Sequence, residues 1–303
     1  MLYIERPLPG EWEGTLNPED YGFDVIPTQG VVPTQWVEEE RVAASFYRRL
    51  QERTGRHIPQ LDPLLERVES RRRVIDELNH KPAQALIERH DIEYPYTCTF
   101  GDAQLTIDEG VFCPTFTKVS PLLLRAVDFK PGERVLDAFA GSGAFGVNAA
   151  LHGAATVVSV DISERAVDCI EKNARSNGVQ IEARLGTLKD QVAKDEKFDL
   201  IIANPPLLPG EPTDGITAAV FDEGLQVTLD FIDRLGRNLD RKGRCYLVTS
   251  DILERCKFSV AELCRRAGLR TVAVSSADLG YETYRVHKIE HRQLNNLHWL
   301  FKR

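Results

Sequence analysis

From about residue 118 onward, short apolar runs alternate with stretches of helical period, and this alternation limits the possible folds more than any other feature of the chain. The runs fall at 134–138, 156–160, 180–184, 198–203, 244–249, 271–275 and 283–290, with helices expected between the first five. Repeated strand–helix units imply right-handed crossovers and a mostly parallel sheet. Only "SADLGYE" separates the last two runs, too little for a helical crossover, so these strands should pair antiparallel. Ahead of the sheet, "YTCTF-GDA-QLTIDEGVF" (96–112) reads as two short strands around a Gly-Asp turn.

The N-terminal third has a different texture. Residues 1–33 carry Pro, Gly and acids with interspersed Tyr3, Trp12, Tyr21 and Phe23, as a wrapped arm would. Residues 34–93 read as helices. Thr34 caps the first, Asp62-Pro63 opens the second, and the third is expected from about Pro82 to Arg89. This texture divides the chain into two domains: an N-terminal arm and helical lid or substrate region over 1–95, and a catalytic domain over 96–303 that begins with the hairpin.

Composition narrows the function classes. The 303 residues carry a formal charge of −8, a poor match to the basic footprint of bulk nucleic-acid binding. The run Arg71-Arg72-Arg73 sits among acids and reads as a solvated helix face. Six cysteines (98, 113, 169, 245, 256, 264) form no CxxC pair and no zinc spacing, and the seven histidines show no ligand spacing, so no metal is expected. The same cysteine usage suits a reduced, cytoplasmic setting. No apolar run is long enough for a membrane span, and the polar start around Glu5, Arg6, Pro7 and Pro9 is unlike a secretory signal.

Two stretches carry chemistry. In "RVLDAFAGSGAFG" a strand runs into Gly141-Ser142-Gly143 and a helix, and Gly141, Gly143 and Gly146 satisfy G-x-G-x-x-G. Such glycines let a ligand approach backbone N–H groups at a helix N-terminus. The next strand ends in Asp161, twenty residues after Gly141, where an acid can accept ribose hydroxyls. A dinucleotide and S-adenosylmethionine both fit this arrangement. Asp137, at the end of the first strand, suits an ammonium and is awkward beside a pyrophosphate, which favours S-adenosylmethionine. In "FDLIIANPPLLPG" an apolar run stops at Asn204-Pro205-Pro206. Prolines cannot continue a central strand, so two rigid residues and one amide stand at the carboxyl edge where open α/β sheets bind ligands.

On "GVFCPT", "VLDAFAGSGAFG" and "FDLIIANPPL", the chain resembles class I S-adenosylmethionine-dependent methyltransferases of the branch with an N-P-P-[YFW] motif. That branch includes release-factor glutamine, adenine N6 and ribosomal-RNA guanine N2 methyltransferases. The resemblance covers about residues 96–290 and implies a Rossmann-like, seven-stranded fold with an antiparallel last strand. It also implies roles. Asp137, Phe139 and the loop Gly141, Ser142 and Gly143 hold the methionine part of the cofactor, Asp161 the ribose, and Ile162 packs on the adenine. Phe112, Pro114 and Thr115 form a flap. Asn204, which also borders the cofactor, and the Pro205 carbonyl accept hydrogen bonds from the acceptor's NH2 group and aim its lone pair at the methyl.

Two positions depart from the pattern. Leu207 stands where the branch has a stacking aromatic, which speaks against a planar acceptor. "RLGTLKD" offers Thr187 where an acid is usual, leaving adenine to backbone groups or Asp190. The expected activity is N-methylation of an amine, amide or guanidine on a small molecule or protein side chain, by a monomer or homodimer. Methylation of an RNA or DNA base ranks second. A cyclase that consumes S-adenosylmethionine and releases methylthioadenosine ranks third.

Overall fold

The computed structural model describes residues 80–256 and 258–292, together with isolated positions between 57 and 74. The arm over 1–33, the first two expected helices and the Arg71-Arg72 pair lie outside the described residues, single positions aside. The chain falls into two compact units, Met1–Glu69 and Ser70–Arg303. Both sheets belong to the second unit.

Among its described residues this unit opens with helix α1 (Lys81–Glu88) and an antiparallel hairpin, β1 (Tyr96–Phe100) and β2 (Ala103–Ile107). A 3₁₀ turn at Pro114–Phe116 leads to α2 (Val119–Ala126). Then come β3 (Arg134–Ala138), α3 (Ala144–Leu151), β4 (Thr156–Asp161), α4 (Glu164–Ser176), β5 (Glu182–Leu185) and β6 (Phe198–Ala203). After α5 (Gln226–Asn238), β7 (Leu239–Ser250) and α6 (Val260–Arg266), the unit closes with β8 (Leu269–Asp278) and β9 (Thr283–His291).

The seven-stranded sheet has the order β5-β4-β3-β6-β7-β9-β8. Pairing is parallel from β5 to β7, and β9 runs antiparallel between β7 and β8. The expected fold class is therefore observed. The order reverses between β3 and β6, so their carboxyl ends, Ala138 and Ala203, stand side by side at the switch point where open sheets bind ligands.

Alternation along the strands divides the core. Val135, Leu200, Ile202 and Val248 face α2, α3 and the hairpin, whereas Leu136, Ala138, Ile201 and Ala203 face α5 and α6. The hairpin is not held by apolar contact alone. Asn148 of α3 donates to the Phe100 carbonyl (2.9 Å) and accepts from Asp102 N–H (2.9 Å). Asn173 of α4 and Asn177, its C-cap, accept from Thr106 and Gln104 N–H (2.8 and 3.0 Å). Backbone groups on the free edge of a hairpin lack ladder partners, and these three side chains supply them.

Candidate functional site

The first half of the site lies at the ends of β3 and β4. Gly141 (φ 53°) and Gly143 (φ 76°) occupy the left-handed region that side chains disfavour. Gly146 is needed for another reason: a Cβ there would stand 2.5 Å from Ser159 Oγ and 3.2 Å from Asp137 Oδ2. At Gly141 an added Cβ would meet nothing within 4 Å, so this stretch of the loop faces open space. Phe139 also has positive φ (60°), rare for a bulky residue. Its ring lies 5.6 Å from that of Phe231 on α5, so it presents backbone to the loop.

Two acids bracket this loop. Asp161 Oδ2 accepts from Gly141 N–H (2.8 Å) and Oδ1 from Ser163 N–H (2.9 Å), which ties β4 to the glycine turn. Burial raises its pKa, and the backbone donors work against that rise. A carboxylate has about four acceptor positions, so lone pairs remain for hydroxyl groups. Asp137 is 1% exposed. Its Oδ2 accepts from Gly146 N–H (2.8 Å), whereas Oδ1 is buried with no hydrogen-bond partner. Burial holds its pKa well above the usual carboxylate range, and the nearby Asp161 charge adds to this. A buried carboxylate oxygen without a partner is uncommon in folded proteins and calls for an explanation. Ile162, directly after Asp161, is 65% exposed although apolar, as a residue awaiting a flat apolar ligand would be. Asp190 accepts from the Thr187 hydroxyl (2.7 Å) in a one-turn helix at Leu188–Gln191, so its carboxylate is engaged locally.

The second half stands at the end of β6. Asn204 is half-buried, and Pro205 and Pro206 are buried. The Asn204 amide donates to Ser120 Oγ (3.4 Å), and Ser120, on α2, is fully buried. This contact engages the amide nitrogen of Asn204 and not its Oδ1. Leu207 packs against the core on the α2 face. Beyond it, Leu207 and Leu208 N–H both donate to the Val220 carbonyl, and Asp222 N–H donates to the Leu208 carbonyl (2.7 Å). The loop after the prolines is thus a closed, internally bonded structure.

The expected flap, residues 112–115, is held from α1 and the segment after it. His90, 7% exposed, accepts from Cys113 N–H at Nε2 (3.0 Å), so its proton sits on Nδ1 and is donated to the Leu86 carbonyl (3.0 Å). Burial lowers the His90 pKa, which favours this neutral form. Its ring lies 5.0 Å from those of Phe112 and Phe116, and Arg89 donates to the Phe116 carbonyl (2.7 Å). The C-terminal end of α1 therefore clamps residues 112–116. Pro114 is buried, and the Thr115 hydroxyl stands 3.1 Å from Cys113 Sγ. Sequence reasoning missed Ser120, His90 and Arg89, because each acts across a separation that no motif spans.

Among the described residues, no group of three or more His, Cys, Asp or Glu could hold a metal, and no helix is long and apolar enough to cross a membrane.

Comparison with known proteins adds three findings. The family described as the methyltransferase small domain matches residues 102–264, just over half of the chain. The ribosomal protein L11 methyltransferase of Symbiobacterium thermophilum is 44% identical over 107 residues, 34% of this chain and 34% of that protein. The ribosomal RNA large subunit methyltransferase I of Serratia proteamaculans is 36% identical over 91 residues, 27% of this chain and 23% of that protein. The chain thus spans about a third or less of these curated relatives. Among solved structures, a T. thermophilus 16S rRNA N2 G1207 methyltransferase in complex with AdoMet and guanosine matches 65% of this chain and 50% of its own, with a TM-score of 0.50 at 22% identity.

Proposed function

The chain belongs to the methyltransferase small domain family, and from that membership we propose that it is an S-adenosylmethionine-dependent N-methyltransferase of the N-P-P branch, acting on an amine or amide nitrogen of a protein side chain. The cofactor, when bound, supplies an electrophilic methyl group on a positively charged sulfur.

The first half of the site fits that group. Asp137 Oδ1, buried and unpartnered, receives the ammonium of the methionine part. Asp161 takes the ribose hydroxyls on its spare lone pairs, and Ile162 covers the adenine. The glycine loop at 141–143, with Phe139 and Ser142 beside it, offers backbone rather than side-chain bulk. Phe112, Pro114 and Thr115 close over the methionine end.

The observation that carries the reaction type is the Asn204 amide, whose nitrogen is held by Ser120 at the end of β6, leaving Oδ1 to accept in this reading. That Oδ1 and the Pro205 carbonyl are two fixed acceptors for the two N–H bonds of one nitrogen. Holding both aims the nitrogen lone pair, so orientation replaces a chance encounter. Leu207, in place of an aromatic platform, supports a side-chain nitrogen over a flat base, as does the net charge of −8. The likeness to a ribosomal protein methyltransferase points the same way. His90 and Arg89, just after α1, hold the 112–116 flap and support this reading.

The test is incubation with S-adenosylmethionine labelled in its methyl group, in three arms: ribosomal proteins, ribosomal RNA, and no acceptor. Label on protein nitrogen after hydrolysis is the expected result. Label in RNA alone would move the acceptor to a base. Methylthioadenosine formed without an acceptor would replace transfer by cyclisation.

A further inference from the structure

One pair of nucleophiles takes no part in the proposed transfer. Cys98 lies in β1, and Cys113 lies just beyond β2, where the chain doubles back through the turn at Asp108–Val111. Their sulfurs stand 4.0 Å apart, with Cys98 half-buried and Cys113 fully buried. Cys113 also lies within the 112–116 segment. Its N–H donates to His90, its sulfur contacts the Thr115 hydroxyl at 3.1 Å, and Pro114 follows it directly.

We propose that Cys98 and Cys113 form an oxidation site, at which a peroxide converts the two thiols into a disulfide and thereby loosens the 112–116 flap from His90. Three features support this. Sulfurs in van der Waals contact need only small side-chain rotations to reach bonding distance. Two groups able to donate, the Cys98 thiol at 4.0 Å and the Thr115 hydroxyl at 3.1 Å, stand beside Cys113 Sγ, and a proton turned toward it from either favours its thiolate, the reactive form. In keeping with that geometry, hydrogen bonding from Cys98, helped by Thr115, draws the Cys113 pKa down, while the same contact and burial push that of Cys98 up. The half-buried Cys98 side gives a small peroxide its entry.

The step balances. The Cys113 thiolate attacks one peroxide oxygen, the O–O bond breaks, and sulfenic acid and water result after proton uptake. The Cys98 thiol then attacks the sulfenic sulfur, its proton leaves with the hydroxide as a second water, and the disulfide forms. Two thiols lose two electrons in total, and the peroxide gains them. Drawing Cys113 Sγ toward β1 takes it from Thr115 and strains the Cys113–His90 hydrogen bond. The consequence for cofactor affinity rests on the cofactor site proposed above; the consequence for the flap does not.

The whole chain, reduced and then treated with hydrogen peroxide, tests this. An unreduced peptide map should show residues 98 and 113 linked, with loss of two hydrogens. Hydrogen exchange over 111–117, read without any ligand, should rise at least about fivefold. Both changes should reverse with dithiothreitol and be absent from Cys98→Ser. No linked peptide, unchanged exchange in the linked protein, or the same rise in Cys98→Ser would each overturn the proposal. Calorimetry with S-adenosylhomocysteine should show weaker binding to the oxidised form. Failure of the reduced protein to bind it at all would count against the proposed cofactor, not against the oxidation site.

Discussion

At the ends of β3 and β4 the chain builds its part of the candidate site with its own backbone, whereas at the end of β6 it relies on side chains borrowed from elsewhere. Gly141 and Gly143 turn through positive φ, Gly146 leaves room for Ser159 and Asp137, and Asp161 bonds directly to Gly141 N–H. All these residues lie within one strand–loop–helix–strand segment. Asn204, by contrast, is held by Ser120, 84 positions away, and residues 112–116 are held by His90, two residues beyond α1. A backbone-built site accepts one ligand whose shape is fixed. A side-chain-built site can be re-aimed by changing a neighbour, which suits the half proposed to receive the acceptor.

If that contrast is right, the largest effect belongs to Asn204→Ala. Turnover should fall at least about 100-fold, because the acceptor nitrogen loses a positioning contact, with affinity for S-adenosylhomocysteine nearly unchanged. Equal losses in both would make Asn204 part of the cofactor half and erase the division. Asp161→Ala should show the reverse: cofactor binding weakened by about 1.5–3 kcal/mol in calorimetry, as befits hydrogen bonds to a charged group.

Gly146→Ala tests whether the cofactor half is as tightly built as its contacts indicate. The added methyl would sit 2.5 Å from Ser159 Oγ. Overpacking of this kind typically destabilises by about 1–3 kcal/mol. The urea midpoint should therefore drop with the slope unchanged. A neutral result would show that β4 and α3 can move apart and that the third glycine is not needed for packing.

The contrast also decides what was legible in the sequence. Glycine spacing and strand-end acids are local, so Gly141, Gly143, Asp137 and Asp161 stand out in a single reading. So do the sheet and its antiparallel end, since period and connection length are local too. Strand limits drifted where pairing overrode pattern. β7 reaches back to Leu239, five residues before the expected start, through an irregular register opposite Phe198–Leu200. β8 runs over Leu269–Asp278, with Val272 and Val274 exposed, because antiparallel pairing with β9 holds it. Phe139 in the left-handed region gave no signal, since its conformation is stabilised by tertiary contact with Phe231. Ser120, His90 and the three hairpin asparagines were illegible for the same reason: a lone polar residue in a helix does not announce a partner dozens of positions away.

A smaller effect sharpens the electrostatic side. Asp137 holds its proton above the usual carboxylate range because burial disfavours the charge. A cation bound beside it favours the ionised form, so binding should release a proton. Affinity should then weaken as pH falls below the raised Asp137 pKa of the free protein, by at most about 1.4 kcal/mol per pH unit for one proton. Calorimetry in buffers of different ionisation enthalpy measures the proton directly, and Asp137→Asn should abolish its release. If binding strengthens as pH falls, Asp137 is not the group that meets the cation.

The smallest effect belongs to Ser120→Ala. The substitution removes one oxygen from a fully buried position and leaves the methylene packing of α2 in place. Its hydrogen bond from Asn204 is long, at 3.4 Å, and a single neutral hydrogen bond is worth about 0.5–1.5 kcal/mol. Turnover should therefore fall about twofold to tenfold, with thermal stability and S-adenosylhomocysteine affinity close to the parent. Because the lost contact only aims Asn204, Ser120→Thr, which restores a hydroxyl, should recover part of the rate if the added methyl is accommodated. In the Asn204→Ala background, Ser120→Ala should do nothing further, since there is no amide left to orient. Additive losses in the double variant would mean that Ser120 acts on the site by another route, and that the acceptor half is not aimed through this pair.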